Sequence, residues 1–219
     1  MTRLLVHRAT PCALAFAMSA SAAFAHPHVF IDGGVNFVVG PGHELEAIEV
    51  TWLYDEFETL YMLASHGMDL NAQGALDEAD RQELVRRLSD WPADFDGSAH
   101  LTSRGEAIAL DWPQNLDAEL VDGRLQLTFD RILQDPIKMT EHAVEAAFFE
   151  RTYFFDFTVT NTPEIRGLAT GCTAEIIPFD PTAQDKALLD VLAKLSREET
   201  SDIENVGGFF ADRIVVRCD

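Results

Sequence analysis

From residue 28 to residue 39 apolar and polar positions alternate loosely, and the run ends at Gly40-Pro41-Gly42. That pattern predicts a β-strand closed by a turn. Residues 45–53 alternate more regularly. Leu45, Ala47, Glu49 and Thr51 fall on one side and Glu46, Ile48, Val50 and Trp52 on the other, so the two runs are expected to form a hairpin. The period then changes. Phe57, Leu60, Tyr61 and Ala64 recur at three- and four-residue spacing, which predicts a helix over 55–65. A second helix is expected over 77–88, with Leu84, Val85 and Leu88 on one face and Trp91-Pro92 ending it.

Strand patterns return after residue 100. Residues 101–111 predict a hairpin turning at Arg104-Gly105, and 116–132 another turning at Asp122-Gly123, the strongest short hairpin signal in the chain. Residues 143–149 and 153–160 are expected to pair as a third hairpin, and 172–178 to form a further strand. Asp180-Pro181 opens a helix expected to run to about Glu198, with Leu188, Leu189, Val191, Leu192 and Leu195 as its buried face. Residues 209–218, with Ile214, Val215 and Val216, close the chain as a strand. The fold class is therefore mainly β (α+β). An antiparallel β-sandwich would carry an inserted helical pair at about 55–90 and one late helix, in a single domain over 26–219. There is no internal repeat.

Residues 1–25 stand apart from this pattern. Arg3 and Arg8 precede an apolar run from Leu14 to Phe24, and Ala23-Phe24-Ala25 has the small-x-small ending of a secretory signal peptide. Cleavage there would make His26 the first residue. The run is too short for a permanent anchor and no later apolar stretch approaches the length of a membrane span, so no membrane insertion is expected after processing. The chain has a formal charge of −21, and the leader holds two basic residues and no acidic one, so its loss makes the remainder more negative. That charge disfavours nucleic acid and anionic lipid, and permits metal cations or a basic partner.

Cys172 and Cys218 remain after the leader. In an oxidising compartment an even pair reads as one disulfide.

The chemistry-bearing residues begin at the new N-terminus. His26 would offer its α-amine and its ring, and His28, two residues on in an extended segment, points to the same side. Imidazole suits zinc, nickel, cobalt and copper. Pro27 lacks the amide N–H that amide-based copper or nickel binding requires. A tight site needs further ligands, for which Asp32, His66, His100 and His142 are candidates. The loop between the two early helices matches an EF-hand. Asp69, Asn71, Gln73, the Ala75 carbonyl, Asp77 and Asp80 take ligand positions and Gly74 the turn position, a weak calcium site. Gln73 stands where Asp or Asn is usual and Asp80 where Glu is; the alternative is an ion-free helix–loop–helix with Asp77 as an N-cap. There is no GxSxG, no HExxH and no Gly-rich phosphate loop, so the chain is not expected to be an enzyme.

Five stretches together resemble a bacterial periplasmic family known as domain of unknown function 1007. They are the His-Pro-His-Val-Phe-Ile-Asp start at 26–32, Thr-Trp-Leu-Tyr-Asp-Glu at 51–56, the Asp-x-Asn-x-Gln-Gly loop at 69–74, Thr-Tyr-Phe-Phe-Asp-Phe at 152–157, and the closing 210–218. The resemblance implies a periplasmic component of a nickel/cobalt-type transport system whose partner is an integral-membrane transporter. The expected function is a transition-metal-binding accessory protein (Ni, Co or Zn). The first alternative is a β-sandwich interaction module that docks on the transporter and binds no transition metal. The remote one is a copper enzyme with an N-terminal histidine brace completed by His100 or His142.

Overall fold

The computed structural model describes residues 27–92, 95–196 and 199–219. The leader and His26 lie outside the described residues. Two sheets share one apolar core. Strands β1 (Val29–Val39) and β2 (Glu44–Tyr54) form the expected hairpin, joined through a short 3-10 turn at Pro41–His43. Helices α1 (Glu56–Ser65) and α2 (Glu78–Leu88) follow, close to their expected bounds. Then come β3 (Ala99–Ser103), β4 (Glu106–Ile108), β5 (Gln114–Val121), β6 (Arg124–Lys138), β7 (Val144–Phe148), β8 (Phe155–Val159), β9 (Ile165–Gly167), β10 (Cys172–Ile177), α3 (Ala183–Leu192) and β11 (Arg213–Cys218).

The first sheet has the order β5-β6-β2-β1-β8, with β9 also pairing with β1; the second runs β10-β11-β7-β3-β4. Alternation places Ile31, Phe37, Val50, Trp52, Leu127 and Phe129 of the first sheet against Leu101, Val144, Ala146, Phe148, Ile214 and Val216 of the second, and all are buried in one cluster. This is the sandwich, and burial of these side chains is its main source of stability. The β5–β6 turn has φ of 50° at Asp122 and 79° at Gly123, the two positive values a tight primed hairpin turn requires.

One pairing differs from expectation. β7 and β8 are not a hairpin: β7 lies between β11 and β3, and β8 crosses to the other sheet to run parallel to β1. The corner between them explains why. The Glu150 carboxylate accepts from Thr152 N (3.0 Å), Thr152 Oγ1 (2.7 Å) and Phe154 N (2.9 Å), and Tyr153 has a φ of 64°. The chain is folded around one acid and turned out of its own sheet. β9 is also parallel to β1, so β1 has two parallel stretches of neighbour on one edge.

The late helix is shorter than expected. Its N-cap is Thr182, in a reciprocal capping box with Asp185, and Ala193 is its C-cap. Leu192 is fully buried and Leu188, Leu189 and Leu195 are partly buried with Tyr153, Val206 and Phe210, in a small second core; Val191 faces solvent instead.

Candidate functional site

His28 is placed at the head of β1. Its backbone N–H donates to the Phe154 carbonyl (2.9 Å), and its ring centroid lies 4.9 Å from that of Phe154. The proposed co-ligands do not gather around it. Asp32 forms an ion pair with Arg124 Nη1 (2.8 Å), and that guanidinium also donates to the Leu53 and Tyr54 carbonyls, tying β1, β2 and β6 together. His66 is the C-cap of α1, and its carbonyl accepts from Arg87. His100, on β3, stacks on Phe149 at 3.8 Å, with Nε2 3.1 Å from the Phe149 carbonyl oxygen. His142 lies in the turn before β7. Among the described residues no group of three His, Cys, Asp or Glu side chains is arranged to hold a metal ion.

The loop between α1 and α2 is closed by its own hydrogen bonds. Asn71 Oδ1 accepts from Gln73 N (3.0 Å) and Ala75 N (3.1 Å), the Ala75 carbonyl accepts from Asn71 N (2.9 Å), and Asp77 Oδ1 caps α2 through Asp80 N (2.9 Å). Three of the would-be calcium oxygens, on Asn71, Ala75 and Asp77, thus already serve the backbone. Asp69 and Gln73 are exposed. At the other end of the molecule Cys172 and Cys218 face each other across β10 and β11 and are bonded.

A charged cluster that the sequence did not disclose sits where the sheets meet. Arg131 is buried on the inward face of β6; its Nε donates to the Asp111 carbonyl (2.8 Å) and its Nη1 to the Asp96 carbonyl. The Asp96 carboxylate accepts from Ser98 N (2.9 Å) and lies 3.3 Å from Arg151 and 4.0 Å from His100. Burial holds the His100 imidazole below its ordinary pKa, and the Asp96 charge only partly opposes this. Burial likewise lowers the Arg131 guanidinium. Asp96 separates two clefts. One, of about 370 Å³, is lined by Trp52, Trp91, Phe95 and Phe155 with Glu150 and Arg151. The other, of about 490 Å³, sets His100, Arg131, Glu145 and Arg213 among apolar side chains such as Leu101 and Ile108. Trp52 is 4% exposed, and its Nε1–H has no acceptor among the described residues.

The most unusual surface is α1. Thr59 and Leu63 point inward; Thr59 Oγ1 accepts from Leu125 N (2.9 Å) and so fixes the helix to β6. The apolar residues whose spacing marks the helix point the other way. Phe57 is 74% exposed, Leu60 63% and Tyr61 56%. Phe30, 51% exposed, adjoins them at the helix start, since its backbone is hydrogen-bonded to the N-cap Asp55. Scattered single apolar side chains on a surface need no explanation, but a contiguous group on one helix face is a candidate interaction site.

The chain matches over residues 11–218 the model of a family described as a protein of unknown function (DUF1007). It is also similar to an uncharacterized protein of Haemophilus influenzae, with 21% identity over 199 residues that cover 89% of this chain and 92% of that one. A match of that extent spans both sheets, α1, α2 and α3, and the exposed face of α1, and the chain belongs to the DUF1007 family.

Proposed function

We propose that this protein is an exported, periplasmic, non-enzymatic component of a transition-metal transport system that works by docking on an integral-membrane transporter. The observation that carries the reading is the outward stripe of Phe57, Leu60 and Tyr61 on α1, continued by Phe30. An apolar helix face in water costs solubility, and covering it with a partner recovers roughly 1.5–3 kcal/mol for each large side chain fully buried. The metal-transport setting rests on the resemblance read from the sequence. The test is to replace Phe57 and Leu60 by Ser in the host and measure tolerance to nickel and cobalt and their uptake. Loss of the deletion-sensitive phenotype's rescue, with the variant still folded, is the expected result; full rescue would sink the reading.

A second reading, metal capture by His26 and His28, is favoured by one feature. The His28 N–H bond to the Phe154 carbonyl and the pairing of β1 with β8 fix His28 at the head of the strand. Zinc, nickel, cobalt or copper would bind there, and calcium only weakly at the α1–α2 loop. Elemental analysis of the protein purified from its host, with and without His28→Ala, checks it. Stoichiometric metal lost in the variant supports capture; none retained in either removes it.

A further inference from the structure

We infer that the segment received by the outer face of α1 is a cationic amphipathic helix of a partner protein. This rests on the docking reading above and adds the chemistry of the partner. At about 100° per residue, Phe57, Leu60, Tyr61 and Ala64 fill an arc of about 100°, the width of one helix–helix contact. Glu56 and Glu58 lie about 100° to either side of Phe57, so the apolar stripe is edged by carboxylates. Arg124, which donates to the Tyr54 carbonyl beside the helix start, is already paired with Asp32 at 2.8 Å. From Asp55 to Asp80 the chain has seven acidic side chains and no Lys or Arg. Arg87, which bonds the His66 carbonyl at the far end of α1, is already paired with Glu83 at 2.7 Å.

The same charges decide against other occupants. A second copy meeting α1 across a two-fold axis would set the two acidic rims against each other, in a chain whose net charge is −21. An anionic bilayer surface is repelled for the same reason. A helix with Leu-type residues on one face and Lys or Arg beside them satisfies both the stripe and its rim, and the charges steer its approach.

The experiment uses the protein purified from its native host and two fluorescent 18-residue helical peptides, one built from Leu and Lys and one from Leu and Glu. Anisotropy should show the Lys peptide bound at least about tenfold more tightly, with affinity falling as salt rises. F57S/L60S, which changes no charge, should lose about tenfold or more, while Glu56→Gln should lose less and flatten the salt dependence. Both substituted side chains are exposed, so folding should be unaffected, and a thermal melt confirms it. Equal binding of the two peptides, or Lys-peptide binding untouched by F57S/L60S, overturns the inference. So does a dimer in sedimentation that F57S/L60S dissolves, or F57S-sensitive binding to phosphatidylglycerol vesicles. If F57S/L60S abolishes function in the host but the peptides are bound equally, the docking face stands and its cationic partner does not. If function is retained, the docking reading itself fails.

Discussion

Asp55 holds Phe30 at both backbone groups: its Oδ2 accepts from Phe30 N at 3.0 Å, and its own N–H donates to the Phe30 carbonyl at 3.0 Å. The other carboxylate oxygen caps α1 by accepting from Glu58 N at 2.8 Å. One side chain therefore sets the start of the helix and places Phe30 beside its exposed stripe. Asp55→Ala should cost about 1–2 kcal/mol, as for loss of a good N-cap with an additional backbone contact. Urea unfolding checks the magnitude. A change within a few tenths would mean the cap is dispensable.

The disulfide links residues 46 apart in sequence. The chain-entropy model assigns about 4 kcal/mol to closing such a loop. Cys218→Ser should lower stability by about 2–4 kcal/mol. Thiol titration of the unreduced, unfolded protein should find neither Cys172 nor Cys218 free, and two free thiols would contradict the bond.

His100 gives the fold a pH dependence of known sign. Its folded pKa lies below its unfolded value of about 6.5, because burial disfavours the imidazolium. Protons then bind the unfolded chain first. The stabilising contribution is complete above about pH 6.5 and is lost as the pH falls toward the depressed folded value. His100→Gln should remove that part of the slope. Denaturation midpoints of both proteins at pH 7.5 and 5.0 test it: a parallel loss in wild type and variant would place the dependence elsewhere.

The metal reading has its own direct check. One extra residue placed before His26 keeps both imidazoles but moves the α-amine away. Nickel or copper affinity should fall about tenfold or more, on the scale of one lost ligand interaction, and wild-type affinity should rise with pH through the amine's pKa near 8. Unchanged titration calorimetry would show that the amine is not a ligand.

Much of the fold was legible because its signals are local. The β1–β2 hairpin follows from alternation, the β5–β6 hairpin from Asp122-Gly123, and the two early helices from apolar spacing, with Asp77 as the cap of the second. What was not legible depends on distant partners. The Glu150 corner that sends β8 to the other sheet uses ordinary polar residues. Arg131 follows the inward alternation of β6 at 125, 127, 129 and 133, yet its residue type gives no hint of burial. In α1 the 3.6-residue period showed a helix but not its orientation. Phe57, Leu60 and Tyr61 form the more apolar stripe, whereas Thr59 and Leu63 face the core.

Docking through α1 requires that this surface be covered in the working protein. A photo-crosslinking amino acid at position 61, on the exposed stripe, tests it in the host against the same probe at position 177 on β10, also exposed. Docking through α1 should give a crosslink from position 61 to an integral-membrane transporter, absent from position 177 and abolished by F57S/L60S. A transporter captured equally from both positions, or captured from position 61 regardless of F57S/L60S, would contradict it.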